Sequence, residues 1–161
     1  MKIESVLVVC VGNICRSPLG ERLLRAELEQ RGAQISVTSA GLHAVVGHPA
    51  DTETFGVAAK RGVSLDGHQA RRFTLEMGRD HDLILVMEPA HRIEIARTAP
   101  ALSGKVFLFD QWSGAKGIAD PYRRSKDFHE AVFLLIHDGA QDWAAKLAPS
   151  AANPGPAGQT C

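Results

Sequence analysis

Cys10 and Arg16 stand in a Cys-x5-Arg relation within Val9-Cys10-Val11-Gly12-Asn13-Ile14-Cys15-Arg16-Ser17-Pro18. The spacing alone is a weak signal, and its setting is what makes it informative. A β-branched run ends at Cys10, and helical periodicity begins near Pro18. A loop between a strand end and a helix N-terminus turns several backbone N–H groups toward one point, and the helix dipole adds a positive field. Gly12 and Asn13 tolerate the positive backbone angles such a loop needs. Arg16 offers a planar fork for two oxygens of a tetrahedral oxyanion. A sulfur at the base of that ring of donors is expected to be a thiolate and a ready nucleophile. The implied chemistry is attack by the Cys10 sulfur on a phosphorus held in the ring. The competing reading, a core thiol at a strand end with Arg16 as a solvated helix residue, ignores this context.

The elements that must position the loop follow from two alternating periods. Continuous apolar runs at 6–9, 83–87 and 106–109 read as short buried strands, and 35–40 reads as a further short strand. Between them lie helical patterns: one from Pro18 with Leu19, Leu23, Leu24, Ala26 and Leu28, one over 51–61, and one over 89–99 ended by Pro100. The segment 127–147 carries Phe128, Val132, Leu135, Ile136, Ala140, Trp143 and Leu147 on one stripe. Strands alternating with helices predict an α/β domain with a parallel sheet, whose ligands bind at the carboxyl ends of the strands. One domain is expected over 1–148. Residues 149–161 lack any apolar period and read as a frayed tail.

Composition narrows the function classes. Eighteen Lys and Arg balance 18 Asp and Glu across 161 residues, which argues against a nucleic-acid binder or a polybasic membrane anchor. No run approaches a membrane span or a signal peptide, so a cytoplasmic protein without membrane insertion is expected. Three cysteines are too few and of the wrong parity for a disulfide framework. The seven histidines, His43 and His48 among them, show no metal spacing.

The segment from Val9 to Pro18 resembles the phosphate-binding loop of the low-molecular-weight protein tyrosine phosphatases. The second cysteine within the loop, Cys15, is the mark of that family. The resemblance runs over about residues 3–147 and includes Ser39-Ala40-Gly41, the third strand from Asp82 to Met87, and Asp120-Pro121-Tyr122. It implies a single three-layer domain, a four-stranded parallel sheet flanked by helices, with no metal and no cofactor. It implies catalysis by Cys10, Arg16 and Asp120, with phosphate bound by Arg16 and by the backbone of Val11, Gly12, Asn13, Ile14 and Cys15. Asp120 would protonate the leaving oxygen and then activate water; Asp110, which also follows a strand, is the second choice of acid. Asn13, Ser17, Ser39 and His68 would hold the loop in shape. Leu42, Val45, Val46 and Tyr122 would wall the pocket.

The first loop, Leu42-His43-Ala44-Val45-Val46, and Arg123 after Tyr122 lack the aromatics of eukaryotic members. They are closer to the bacterial members linked to exopolysaccharide and capsule production. The partner implied is a phosphotyrosine protein, a membrane tyrosine autokinase, acted on by a monomer. Arg123 and Arg124 read either as a solvated basic pair or as a dock for acidic or multiply phosphorylated peptides. Cys15 reads either as a small packed residue or as a redox guard that traps oxidised Cys10 as a disulfide. Cys161 reads as a spare thiol, Trp143 as core, and Trp112 is placed loosely near the site's mouth. Two other functions compete. A thiol-dependent arsenate reductase would need further cysteines, and none lies between Cys15 and Cys161. A non-catalytic phosphotyrosine-binding module would not need an intact Cys10, Arg16 and Asp120 set.

Overall fold

Val6, Leu7, Val8 and Val9 have no solvent exposure at all, which only a central strand covered on both faces can achieve. The structure, a computed structural model, describes residues 2–149. In it β1 (Ser5–Cys10) lies between β2 (Ser36–Gly41) and β3 (Leu83–Val86), and β4 (Val106–Leu108) closes the far edge. The four strands are parallel in the order β2-β1-β3-β4. The register pairs Cys10 with Gly41 and Val9 with both Ala40 and Val86. The chain therefore leaves β1 to one side for β2 and crosses to the other for β3. The carboxyl end of β1 is thus the switch point where open α/β sheets bind ligands.

Side-chain alternation divides the core in two. Val6, Val8 and Cys10 face α1 (Arg16–Gln30) and α5 (Lys126–Leu147), joined by Leu19, Leu24, Val132, Ile136 and Trp143. Leu7, Val9, Ile84 and Val86 face α4 (Pro89–Thr98) and its 3₁₀ extension Pro100–Lys105, through Ile95 and Leu102. The short helices α2 (Thr52–Lys60) and α3 (Leu75–Asp80) complete the element order. Asp51 caps α2 by accepting from the Thr54 N–H, and Thr74 caps α3 by accepting from Met77 N–H. The result is the α/β, three-layer, four-stranded arrangement expected. Among the described residues no helix is long and apolar enough to cross a membrane.

Several details differ from expectation. The 6-residue α3 is too short to show a helical period. Pro100 ends α4 but opens a 3₁₀ turn rather than a loop, since its missing N–H costs nothing at a first helical position. On α5, Leu135 is exposed and Phe133 is buried in its stead. The stripe is centred on Ile136 and Trp143, and one step along a helix rotates Leu135 about 100° away. Trp112 packs edge-on against Trp143, with ring centroids 5.4 Å apart, and takes no part in the cleft described below. The expected tail beyond Pro149, and Cys161 with it, lie outside the described residues.

Candidate active site

The loop that follows β1 is turned inside out relative to an ordinary connection. Its carbonyls point outward and are taken by neighbouring segments. Leu42 N–H donates to Cys10 O, His43 N–H to Val11 O, Val45 N–H to Gly12 O and Asp51 N–H to Ile14 O, at 2.8 to 3.1 Å. Among the described residues, no backbone N–H from Val11 to Ser17 donates to a protein acceptor. Cys15 precedes α1 without giving it a side-chain cap. The loop and helix N–H groups are therefore free to converge on an anion. Asn13 adopts the left-handed conformation at φ 58°, as expected. Gly12 does not, contrary to expectation; a Cβ there would make ordinary contact with Val45 at 3.5 Å.

Gly41 is required for a different reason. A Cβ at Gly41 would stand 2.4 Å from the Val11 carbonyl oxygen and 3.0 Å from Asn13 N. The end of β2 can approach the loop this closely only without a side chain.

A polar network ties the loop to β2 and α1. The Asn13 side-chain amide donates to Ser17 Oγ at 2.7 Å and to Ser39 Oγ at 3.1 Å. Ser39 donates onward to Glu21 Oε1 at 2.6 Å, and Arg25 holds the other Glu21 oxygen at 2.7 Å. Asn13 Oδ1 accepts from Arg71 N–H at 2.9 Å, and the Arg71 guanidinium donates to Ser39 O at 2.8 Å. The Asn13 carbonyl accepts from His68 Nε2–H at 2.6 Å. Asn13, Ser17, Ser39 and His68 thus come together as placed by the resemblance. Glu21 and Arg71, which complete the network, were not foreseen. Ser17 Oγ also lies 2.9 Å from Cys10 Sγ.

Arg16 is buried, with 1% exposure, at the floor of the cleft. Its Nη1 donates to Glu88 Oε2 at 2.5 Å and to Ile118 O at 2.7 Å. That occupies one nitrogen and leaves the Nε and Nη2 edge as the fork for an oxyanion. Glu88 was not singled out from sequence. It lies two residues past β3, at the start of α4, and the sheet brings that strand end beside the loop.

Asp120 lies across the cleft, with Oδ2 3.9 Å from Arg16 Nη2. Its Oδ1 accepts from Tyr122 N–H at 3.0 Å, so the Asp-Pro-Tyr turn fixes the carboxyl's direction. Asp110, the other acid considered, is buried outside the cleft. Its Oδ2 accepts from Lys116 and Gly117 N–H at 3.1 and 2.9 Å, which shapes the turn leading to Ile118.

The cleft measures about 200 Å³ and gathers Cys10, Arg16, Asp120, His43, Val45 and Tyr122 with the loop residues Val11, Gly12, Ile14 and Cys15. Two expected wall residues are not in it. Leu42 is packed into the core beneath the first loop, and Val46 is 66% exposed on its outer side. His43 and Val45, in the loop that follows β2, take the cleft positions. The Arg123 guanidinium lies 5.2 Å above the Tyr122 ring, whereas Arg124 turns away onto Phe128.

Cys15 lies in the loop but is 4% exposed, beside a cavity of about 10 Å³ lined by Leu19, Val57, Val132 and Phe133. Burial pushes its thiol up to about 12, against a lowering contribution from Thr54. Both Cys10 and Cys15 are free thiols in this structure.

These features have counterparts among known proteins. Residues 5–153 match the family described as low molecular weight phosphotyrosine protein phosphatase. The low molecular weight protein-tyrosine-phosphatase Etp of Escherichia coli is 50% identical over 147 residues, 91% of this chain and 97% of Etp. The tyrosine phosphatase Wzb of Escherichia coli, solved in complex with sulphate, superposes with a TM-score of 0.86 at 45% identity, covering 90% of this chain and 99% of that one. The tyrosine phosphatase AmsI of Erwinia amylovora gives a TM-score of 0.85 at 47% identity, covering 91% and 94%. The chain thus belongs to the low-molecular-weight protein-tyrosine-phosphatase family, and it is an enzyme of that class.

Proposed function

We propose that the chain hydrolyses phosphotyrosine through a cysteinyl-phosphate intermediate. The observation that carries this reading is the gathering of Cys10 Sγ, the free N–H groups of the loop, the Arg16 fork and Asp120 around one cleft. The phosphoryl oxygens lie in the ring of loop N–H groups and on Arg16 Nε and Nη2. The Cys10 thiolate attacks phosphorus; the S–P bond forms as the P–O bond to the tyrosine breaks. Asp120 gives its proton to the departing phenolate oxygen. Water then attacks phosphorus and gives a proton to Asp120, and the S–P bond breaks to release phosphate and the thiolate. The Ser17 hydroxyl, 2.9 Å from the Cys10 sulfur, donates to the thiolate, which can only accept.

The physiological substrate we infer is the phosphorylated tail of a membrane tyrosine autokinase in exopolysaccharide or capsule production, met in the cytoplasm. Support comes from the similarity to Etp, Wzb and AmsI and from the cleft wall of His43 and Val45 in place of aromatics. Arg123 on Tyr122 at the mouth adds a positive rim suited to an acidic peptide. The test is release of phosphate from a tyrosine-phosphorylated peptide by wild type and Cys10→Ser. Turnover by the wild type alone supports the reading. Tight binding with no turnover would favour a phosphotyrosine-binding module, and thioredoxin-coupled arsenate reduction would favour a reductase.

A further inference from the structure

We propose that His91 is a positioning residue that orients Arg16 through Glu88. The proposal rests on Arg16 being the group that grips phosphate in the phosphatase reading above. Arg16 is buried, and its closest carboxylate is Glu88. The Glu88 side chain is 37% exposed and stands on a chain end between β3 and α4, so it needs a restraint to keep its carboxylate turned inward.

His91, one turn into α4 and 5% exposed, supplies that restraint from both ring nitrogens. Its Nδ1 accepts from the Glu88 backbone N–H at 3.2 Å. An accepting Nδ1 places the ring proton on Nε2, which faces Glu88 Oε2 at 3.5 Å. One neutral imidazole thereby holds the backbone of the residue that pins Arg16 Nη1 and stands against its carboxylate. Burial and the Arg16 charge lower the His91 pKa from 6.5, outweighing Glu88, Glu94 and Asp120. Burial, aided by Arg16, thus keeps the ring in the neutral form that can accept from the Glu88 N–H. Neither Glu88 nor His91 touches the reacting atoms; both act on the guanidinium fork.

The test measures inhibition by inorganic phosphate and kcat/KM for an aryl phosphate across a double-mutant cycle. His91→Leu removes both contacts and is expected to weaken phosphate inhibition and lower kcat/KM, each by roughly ten- to a hundredfold. His91→Gln places an amide nitrogen near the Nε2 position and should recover much of that loss. In a Glu88→Gln background, His91→Leu should add little, because its effect runs through the Glu88 carboxylate. An undiminished further loss in that background would overturn the proposal, showing that His91 acts by packing alone. Wild-type behaviour in both His91 variants would also overturn it. Should His91→Leu fail to fold, His91→Gln against wild type and Glu88→Gln carries the comparison: equal phosphate inhibition in all three refutes it. Phosphate binding to Cys10→Ser, with and without His91→Leu, reports the grip of Arg16 without chemistry. A wild type that binds phosphate but turns over no aryl phosphate would sink the phosphatase reading and leave this one standing.

Discussion

Ser17 Oγ lies 2.9 Å from Cys10 Sγ while accepting the Asn13 amide at 2.7 Å. A Cys10 thiolate has no proton to give, so against it the Ser17 hydroxyl is the donor. The same contact that steadies an attacking thiolate steadies the one that leaves in the second step. Ser17→Ala is expected to lower kcat by roughly ten- to a hundredfold, the worth of about 1.5–3 kcal/mol for a hydrogen bond to a charged group. Steady-state kinetics on an aryl phosphate checks this. Unchanged kcat would remove Ser17 from the mechanism.

Asp120→Ala should reduce turnover of a phosphate ester with a poor leaving group by about two to four orders of magnitude. The loss should shrink as the leaving phenol becomes more acidic. A series of substituted aryl phosphates measures that trend, and an equal loss across the series would contradict the role of proton donor.

Gly41→Ala should damage the loop without touching the cleft. Its Cβ would collide with the Val11 carbonyl, which must stay outward for its N–H partners to face the anion. The expected cost is about 1–3 kcal/mol in stability, together with weaker phosphate binding. Thermal denaturation with and without inorganic phosphate reads both effects.

Cys15 should behave as a neutral thiol. With its pKa pushed up to about 12, the folded state favours the protonated form. The sign follows from linkage: this contribution to stability is intact below the usual thiol value of 9.0 and is lost as pH rises toward 12. Alkylation at neutral pH, read by peptide mapping, should mark Cys10, be blocked there by phosphate, and spare Cys15. Rapid labelling of Cys15 in the folded protein would contradict its burial. A redox-guard role for Cys15 would then require the loop to open enough to ionise it.

The loop from Cys10 to Ser17 was legible in the sequence because its chemistry is contiguous: strand, anion loop and helix start follow one another within a few residues. β1 and β3 were legible because strands buried on both faces leave unbroken apolar runs; the edge strand β2, Ser-Val-Thr-Ser-Ala-Gly, left a weaker trace. Glu88, His91, Glu21 and Arg71 were not. Glu88, His91 and Arg71 reach the site from distant parts of the chain, Glu21 lies one turn past Ser17 on α1, and nothing local sets either glutamate apart from any other. The cleft wall was half legible. The loop was the correct one, and Val45 and Tyr122 line the cleft as expected, but the backbone path puts His43 there as well and leaves Leu42 and Val46 out.

The central claim is that phosphate passes through the Cys10 sulfur. The most direct measurement is rapid acid quench of wild-type enzyme during turnover of an aryl phosphate, followed by mass analysis of the peptide containing Cys10. One added phosphoryl group is expected on that peptide, absent from Cys10→Ser and from enzyme without substrate. Full turnover by Cys10→Ser, or a phosphoryl group found on another residue, would contradict it.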